Sequence, residues 1–196
     1  HADGETSHRQ HGPHNAFILH NAGEVLEDCV LAIAQMVRAG SFEPTLSEVS
    51  FGSSEDGPDT LGKYEIALSE GRVLSLSGKI DRLDTANRDG DDIAIVFDYK
   101  RSKDRARFNW KKFFHGIDMQ LPIYMLAVRN ASGRKTTRKV IGAFYMPVEV
   151  GAESATVAEL SITLEKFRHK ANGILNGDFF KELDGSDSNK FYNFFV

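Results

Sequence analysis

Two short apolar runs end in charged residues where buried strands would be expected to end in a neutral turn: "GKIDRLD" at 78–84 and "IVFDYKRS" at 95–102. Alternate residues of a strand point to opposite faces of its sheet. In the second run, Asp98 and Lys100 therefore share one face, opposite the bulky side chains. Those are Ile93, Ile95, Phe97 and Tyr99. If the two runs pair as a hairpin, Asp81 comes up beside Asp98 and Lys100, and one small patch holds two carboxylates and an ammonium group.

Two carboxylates about 4 Å apart repel each other by roughly 4 kcal/mol at an effective dielectric constant near 20. Such a pair persists only with a shared proton or a cation between the two groups. Carboxylate oxygens with few other protein ligands suit Mg²⁺ or Mn²⁺, which can polarise a phosphoryl oxygen and activate water. A nearby lysine can then stabilise the charge that develops on the phosphate. Two surface acids that share a salt bridge with the lysine are the alternative, and the spacing alone leaves both open.

The length of 196 residues and the ordinary apolar content suit one globular domain. No apolar run approaches the ~20 residues of a membrane span. Cys29 is the only cysteine, which excludes a disulfide within the chain, and we expect it to pack in the core. Residues 1–20 are polar and rich in histidine, so we expect a flexible N-terminal segment there and a single domain over 21–196.

Apolar periodicity predicts an α/β fold in which helices flank a central mixed β-sheet. Helical spacing runs from Glu24 to Ala39, and further helices are predicted over Asn109–Asn130 and Leu164–Asn176, the last ended by Gly177. The predicted strands are Leu46–Phe51, Lys63–Leu68, Val73–Asp81, Ile93–Lys100 and Lys139–Val148, with turns at "SEGR" and "TANRDGDD".

A basic segment, residues 101–112, directly follows Lys100. The net charge of −4 argues mildly against a protein that simply coats nucleic acid, but within this segment Asp104 is the only acid. Basic residues mixed with aromatic rings suit phosphates and unstacked bases, whereas a solvated loop is the alternative. We predict that the following residues contact DNA: Arg101, Lys103, Arg105, Arg107, Trp110, Lys111 and Lys112.

Four stretches, in this order, resemble the successive motifs of the PD-(D/E)XK nuclease superfamily: "SEVSFG" at 47–52, "GKIDRLD", "IVFDYKRS" and "GIDMQLPIY" at 116–124. Within that superfamily they resemble the RecB-type branch, and there the C-terminal nuclease domain of AddB-type helicase–nuclease subunits. The resemblance implies a restriction-endonuclease-like fold. It also implies a metal-dependent deoxyribonuclease that works in the cytoplasm beside a helicase in double-strand-break repair and recombination, without a membrane.

The resemblance also implies roles for individual residues. Asp81 and Asp98 match the metal-binding acids, with the Tyr99 carbonyl as a further ligand, and Lys100 matches the catalytic lysine. Three further residues match motifs of this branch. Gln120 and Tyr124 match the Q-x-x-x-Y motif of this branch, and Glu48 matches an upstream acid that is either a metal ligand or a structural partner.

The sequence differs from the pattern of this family at two points. Relatives often carry a metal-binding histidine on an early helix, but here His20, just before the predicted helix, is the nearest candidate. Many AddB-type domains also hold an iron–sulfur cluster through one upstream cysteine and three near the C-terminus, where this sequence has none. Either the cluster is absent or its ligands lie outside the chain, and we expect it to be absent. The metal that the resemblance implies is Mg²⁺ or Mn²⁺. A non-catalytic DNA-binding or scaffolding domain remains the alternative function, and a metal-dependent or acid–base enzyme acting on small molecules is a third.

Overall fold

The structure is a computed structural model that describes residues 12–52, 57, 60–131, 139–151, 167–186 and 189–196. Four helices lie in this part of the chain: α1 (Pro13–Ala39), α2 (Trp110–Phe114), α3 (Gln120–Arg129) and α4 (Phe180–Leu183). Eight strands accompany them: β1 (Glu43–Phe51), β2 (Tyr64–Ala67), β3 (Val73–Leu76), β4 (Gly78–Arg88), β5 (Asp91–Ser102), β6 (Lys139–Glu149), β7 (Ala171–Leu175) and β8 (Tyr192–Phe195).

Six strands form one mixed sheet in the order β1-β4-β5-β6-β7-β8. The pairs β5–β6 and β7–β8 are parallel, and the other pairs are antiparallel. Strands β2 and β3 form a separate antiparallel pair. The predicted mixed α/β fold is therefore confirmed. Across the described residues, no helix has both the length and the apolar composition that a transmembrane segment requires.

Each face of the sheet has its own hydrophobic core. Residues of α1, among them Cys29 and Met36, pack against one face, and this confirms the core position predicted for Cys29. Leu121 and Val128 of α3 pack against the other face. Because β5 lies in the middle of the sheet, it contributes Phe97 to the α1 side and Val96 to the α3 side. The next residue on the α3 side is Asp98.

The β4–β5 hairpin is longer than the sequence predicted. The stretch "TANRDGDD" was predicted to be a turn, but β4 and β5 run through most of it, and the turn consists of Asp89 and Gly90. Both residues have positive φ, 54° and 92°, which is the conformation that favours Asp-Gly in tight hairpins. The remaining polar residues of the stretch pair across the hairpin, and this pairing overrides their weak strand propensity.

The predicted helix Leu164–Asn176 is wrong over the part that the structure describes, since Ala171–Leu175 is β7 and Gly177 begins a 3₁₀ turn rather than ending a helix. Residues 164–166 lie outside the described residues. Gly173 allows β7 to pair closely with β6: a Cβ there would lie 1.9 Å from the Ala143 carbonyl oxygen. Tertiary pairing therefore decides the structure of "ANGIL", whose apolar spacing is also compatible with a helix.

Three other elements differ in extent. The strand predicted over Val73–Asp81 is broken at Ser77, because β3 pairs with β2 whereas β4 pairs with β1. The helix predicted over Asn109–Asn130 is interrupted between α2 and α3, where the Gly116 N–H bonds back to the Phe113 carbonyl and ends α2. Helix α1 begins at Pro13 rather than Glu24, because proline suits the first turn of a helix. It therefore takes in residues 13–20 of the segment predicted to be flexible, while residues 1–11 lie outside the described residues.

A buried ion pair fixes the hairpin on the α1 side of the sheet. The Arg82 guanidinium donates two hydrogen bonds of 2.7 Å to the Asp84 carboxylate and one of 3.0 Å to the Tyr99 hydroxyl. It also lies 4.1 Å from the centroid of the Phe97 ring. Burial raises the pKa of Asp84, and the positive charge of Arg82 opposes that rise. The carboxylate therefore depends on Arg82 to remain charged inside the protein.

Replacing Arg82 should destabilise the protein in a pH-dependent way. Arg82→Met leaves Asp84 buried without its cation, which should cost about 3–5 kcal/mol of unfolding free energy. The pKa of Asp84 then rises further. A carboxyl group with a raised folded-state pKa favours the folded protein at low pH and loses that contribution as the pH rises through its pKa. Urea unfolding should therefore give a larger loss at pH 8 than at pH 5.

The double variant Arg82→Met/Asp84→Leu is the matched control, because it removes both charges and keeps apolar volume. It should recover most of the lost free energy of unfolding at both pH values. An equal loss at pH 5 and pH 8, with no recovery in the double variant, would contradict this account of the ion pair.

Candidate active site

Asp98, Lys100 and Gln120 form one hydrogen-bonded unit on the α3 side of the sheet. Lys100 Nζ lies 2.7 Å from Asp98 Oδ2 and donates to Gln120 Oε1 over 2.7 Å. Gln120 Nε2 donates to Asp98 Oδ1 over 2.6 Å. Asp98 and Lys100 meet because they are two apart on β5, and Gln120 reaches them because it is the first residue of α3. The sequence predicted that Asp98 and Lys100 lie in one patch with Asp81, and the contact between Asp98 and Lys100 is consistent with that prediction.

Asp81 lies beside this unit at the end of the β4–β5 ladder. The last regular pair of the ladder is Arg82 with Phe97, so Asp81 and Asp98 follow next in the same register. Instead of continuing the ladder, Asp81 Oδ2 accepts a hydrogen bond of 2.7 Å from the Tyr99 N–H. The carboxylate of the first acid is therefore held by the backbone between Asp98 and Lys100.

Two tyrosines border the unit. Tyr124, one turn along α3, accepts a hydrogen bond of 2.9 Å from Gln120 Nε2. Tyr145 of β6 is buried and donates to Asp118 over 2.6 Å, and Lys100 Nζ lies 4.9 Å from its ring centroid. Lys100 is thus in contact with a carboxylate, an amide oxygen and an aromatic face, all of which favour a cation.

Burial raises the pKa of Asp98, and this effect outweighs the opposing influence of Lys100. The charges of Asp81 and Asp118 raise it further. Burial likewise raises the pKa of the Tyr124 hydroxyl, and the charges of Asp98 and Asp81 add to the rise. The site therefore concentrates negative charge in a poorly solvated place, where a cation would relieve the repulsion.

The donor set fits a divalent cation of the Mg²⁺ type, which binds through one or two carboxylates and keeps several waters. Asp81 and Asp98 supply the carboxylates. Asp98 Oδ2 is buried and, apart from the ion pair with Lys100, accepts no well-aligned hydrogen bond. It therefore retains lone pairs for a metal. The carbonyl oxygen of Tyr99 remains a predicted further ligand.

Two other candidate ligands have partners of their own. Glu48 has a φ of 55° and its carboxylate pairs with Lys79. His20 is exposed on α1, where its Nε2 lies 3.4 Å from Glu24. Within the described parts of the chain, no three His, Cys, Asp or Glu side chains converge as a metal site, so neither residue joins Asp81 and Asp98 in such a group. For Glu48, the contact with Lys79 favours the structural role that the sequence left open.

The basic segment lies over the same face of the sheet. Ala106 and Phe108 are buried in the core on the α3 side, whereas the charged residues around them are exposed. Arg101 lies 3.3 Å from Glu149, and Arg107 lies 3.8 Å from Asp104. The other predicted DNA-contacting residues are also exposed at the surface: Lys103, Arg105, Trp110, Lys111 and Lys112. Because Ala106 and Phe108 are buried in the core, the charged residues between and around them face solvent in the segment that follows Lys100.

Sequence reasoning missed Asp118 and Tyr145 as parts of this site. Asp118 lies inside the quoted motif "GIDMQLPIY", two residues before Gln120, which was the available signal. Tyr145 reads as an ordinary apolar strand residue, and only the parallel pairing of β6 with β5 places it opposite Asp98.

Two carboxylates and a lysine at the end of neighbouring strands, on a mixed sheet between helices, define a class of metal-dependent nuclease folds. The sequence model of the PD-(D/E)XK nuclease superfamily matches residues 2–186, which covers most of the chain. The chain therefore belongs to the PD-(D/E)XK nuclease superfamily.

Among curated proteins, the chain is similar to several that are named as one of the subunits of an ATP-dependent helicase/deoxyribonuclease. The protein of Symbiobacterium thermophilum is 31% identical over 85% of this chain, and that of Thermoanaerobacter sp. is 27% identical over 89%. That of Clostridium perfringens is 32% identical over 55%. These alignments span only 14%, 15% and 9% of the respective relatives, so the chain corresponds to a small part of them.

The Gln120 amide offers a direct test of the site. Gln120→Leu keeps most of the side-chain volume but removes the contacts to Asp98, Lys100 and Tyr124. If Gln120 positions these groups, the single-turnover rate of DNA cleavage should fall by about 10²-fold or more, because small misplacements are costly in catalysis. Tyr124→Phe removes only the hydroxyl group and should lower the rate less.

Gln35→Leu is the matched control, since Gln35 is exposed on α1, away from the site. It should leave both the rate and the melting temperature unchanged. If Gln120→Leu and Tyr124→Phe both cut DNA at the wild-type rate, the pair has no part in the site.

Proposed function

We propose that residues 21–196 form a divalent-metal-dependent deoxyribonuclease domain that hydrolyses phosphodiester bonds. The observation that carries this proposal is the joint geometry of two neighbouring carboxylates, Asp81 and Asp98, with the Lys100 ammonium 2.7 Å from the second. Membership of the superfamily supports it. A phosphodiester carries negative charge, so a carboxylate pair can act on it only if cations are also present, and the site offers both a lysine and metal ligands.

In this proposal Asp81, Asp98 and the Tyr99 carbonyl hold the Mg²⁺ or Mn²⁺ ion. When bound, such an ion polarises a phosphoryl oxygen and lowers the pKa of a water molecule. Lys100 donates to a non-bridging oxygen of the scissile phosphate and stabilises the negative charge that grows there. Gln120 holds Lys100 and Asp98 at a fixed separation, and Tyr124 holds the Gln120 amide in turn.

The basic segment would carry the DNA towards Lys100. Its exposed cations can replace the counterions of the phosphate backbone, and the exposed Trp110 ring can stack on an unpaired base. The chain as a whole has a net charge of −4, so we expect DNA binding to depend on this segment and on a neighbouring helicase.

The names of the relatives motivate the wider proposal. Because they are named helicase/deoxyribonuclease subunits, we propose that this domain is the nuclease module of a helicase–exonuclease that acts in double-strand-break repair and recombination in the cytoplasm. An iron–sulfur cluster is not part of the proposal, since four cysteines usually hold one and this sequence has Cys29 alone.

Variants of Asp98 and Lys100 separate metal binding from catalysis. Asp98→Asn removes a carboxylate ligand, so calorimetric titration should lose the Mn²⁺ binding heat, and cleavage of end-labelled linear DNA should be lost with it. Lys100→Ala keeps both carboxylates, so Mn²⁺ should still bind, while cleavage should fall by about 10²- to 10³-fold as charge stabilisation is lost.

Asp89→Asn is the matched control, because Asp89 is exposed at the opposite end of the same hairpin. It should bind Mn²⁺ and cut DNA as the wild type does. Full cleavage by Asp98→Asn, or cleavage by the wild type that EDTA leaves unchanged, would contradict the proposed function. Wild-type protein that binds DNA but cuts neither linear nor circular DNA with either metal would favour the scaffolding alternative.

A further inference from the structure

A row of polar side chains crosses the sheet from the carboxylate pair to the far edge. On the α3 side, Asp98 of β5 pairs with Tyr145 of β6, Tyr145 with Asn172 of β7, and Asn172 with Asn193 of β8. Neighbouring strands lie ~4.8 Å apart, so Asn172 and Asn193 lie about 10 and 14 Å from Asp98 across the sheet. Asp98 and Tyr145 are buried, Asn172 is half-buried and Asn193 is exposed, so the row opens to solvent only towards the edge of the sheet.

The row ends in an open cleft of about 540 Å³. Its lining combines amides, a cation and aromatic rings: Phe108, Lys170, Asn172, Asn189, Asn193 and Phe195. Asn193 and Phe195 are both exposed, and they point to the same face because they are two apart on β8. The size lies within the range of small-ligand pockets, and the lining is more polar than most of them.

The basic segment connects this cleft with Lys100. It leaves the end of β5 next to Lys100, and its Phe108 ring reaches a centroid distance of 5.8 Å from the Phe195 ring on β8. A nucleic acid strand that follows the exposed cations of this segment is therefore led from the carboxylate pair to the cleft.

Hydrogen bonds within the cleft hold one amide and leave another available. Asn172 donates to the Lys170 carbonyl over 2.9 Å and accepts from Asn193 Nδ2 over 3.2 Å. Among the contacts of the described residues, none occupies Asn193 Oδ1. Asn193 thus offers an acceptor and a second N–H, in an orientation fixed by Asn172. An amide with one donor and one acceptor matches the edge of an unpaired base.

We propose that this cleft is a subsite for one nucleotide of a single strand, on one side of the phosphodiester bond that is cut. The inference rests on the proposed nuclease function. The exposed Phe195 ring stacks on the base, Asn193 bonds to the edge of the base, and the Lys170 ammonium contacts the adjoining phosphate. A base that has to stack there cannot remain in a duplex, so the subsite selects single-stranded ends.

The test is fluorescence anisotropy of a labelled single-stranded oligonucleotide in EDTA, which measures binding without cleavage. Phe195→Ala should weaken binding by about 5- to 100-fold, the range that one lost base stack produces. Asn193→Ala should weaken it by about three- to tenfold. Neither variant should change the slope of log affinity against log salt, because both side chains contact the base. Lys170→Ala should reduce that slope by about one.

Phe17→Ala and Asn87→Ala are the matched controls, since both residues are exposed and lie outside the cleft. Both should bind as the wild type does. Because Phe195 also packs on Trp110 and Phe108, the melting temperature of Phe195→Ala should be compared, and Asn193→Ala tests the cleft without disturbing this packing. In cleavage assays, Asn193→Ala should raise KM for single strands and leave kcat unchanged.

The two proposals fail in different ways. Wild-type affinity of Asn193→Ala, Phe195→Ala and Lys170→Ala for the oligonucleotide would overturn the subsite, whether or not the protein cuts DNA. Loss of affinity in these variants would support the subsite even if the wild-type protein cut no DNA, an outcome that would overturn only the proposed nuclease function.

Discussion

The site depends on how the charge of Asp98 is held inside the protein. This carboxylate is almost fully buried, and a buried charge without a partner costs several kcal/mol. Lys100 supplies the opposite charge, and the Gln120 amide completes the shell. The amide can take only one orientation, because turning it over would point its NH₂ group at the ammonium and its oxygen at the carboxylate. The first residue of α3 is therefore fixed to the end of β5.

The opposite face of the hairpin carries a second buried charge pair, one register position away. Arg82 and Asp84 neutralise each other on the α1 side, where Arg82 also contacts Phe97 and Tyr99. Strand alternation thus places a closed ion pair on one face and an open carboxylate pair on the other. If β4 shifted by one residue against β5, its side chains would move to the opposite face of the sheet. The Arg82 contacts oppose such a shift and so maintain the register on which the Asp81–Asp98 pair depends.

Much of this arrangement could be predicted from the sequence, because alternation along β5 is a local property. It separates Asp98 and Lys100 from Phe97 and Tyr99 before any fold is known. What could not be predicted depends on pairing between distant strands. The sequence of β7 is compatible with a helix, and only the close approach of Gly173 to β6 explains why it forms a strand. Tyr145 and Asn172 become neighbours in the polar row only because the sheet order places β6 beside β7. The resemblance to known nucleases supplied Gln120, which local spacing alone would have left on a helix surface.

The central claim is that Asp98, Lys100 and Gln120 act on the scissile phosphate as one unit. A double-mutant cycle of single-turnover rates with Lys100→Ala and Gln120→Leu tests this most directly. Residues that act together are strongly non-additive. If Gln120 works by holding Lys100, the double variant should cut DNA about as slowly as the slower single variant. Rate losses that multiply in the double variant would show two independent contributions and would contradict this account of the site.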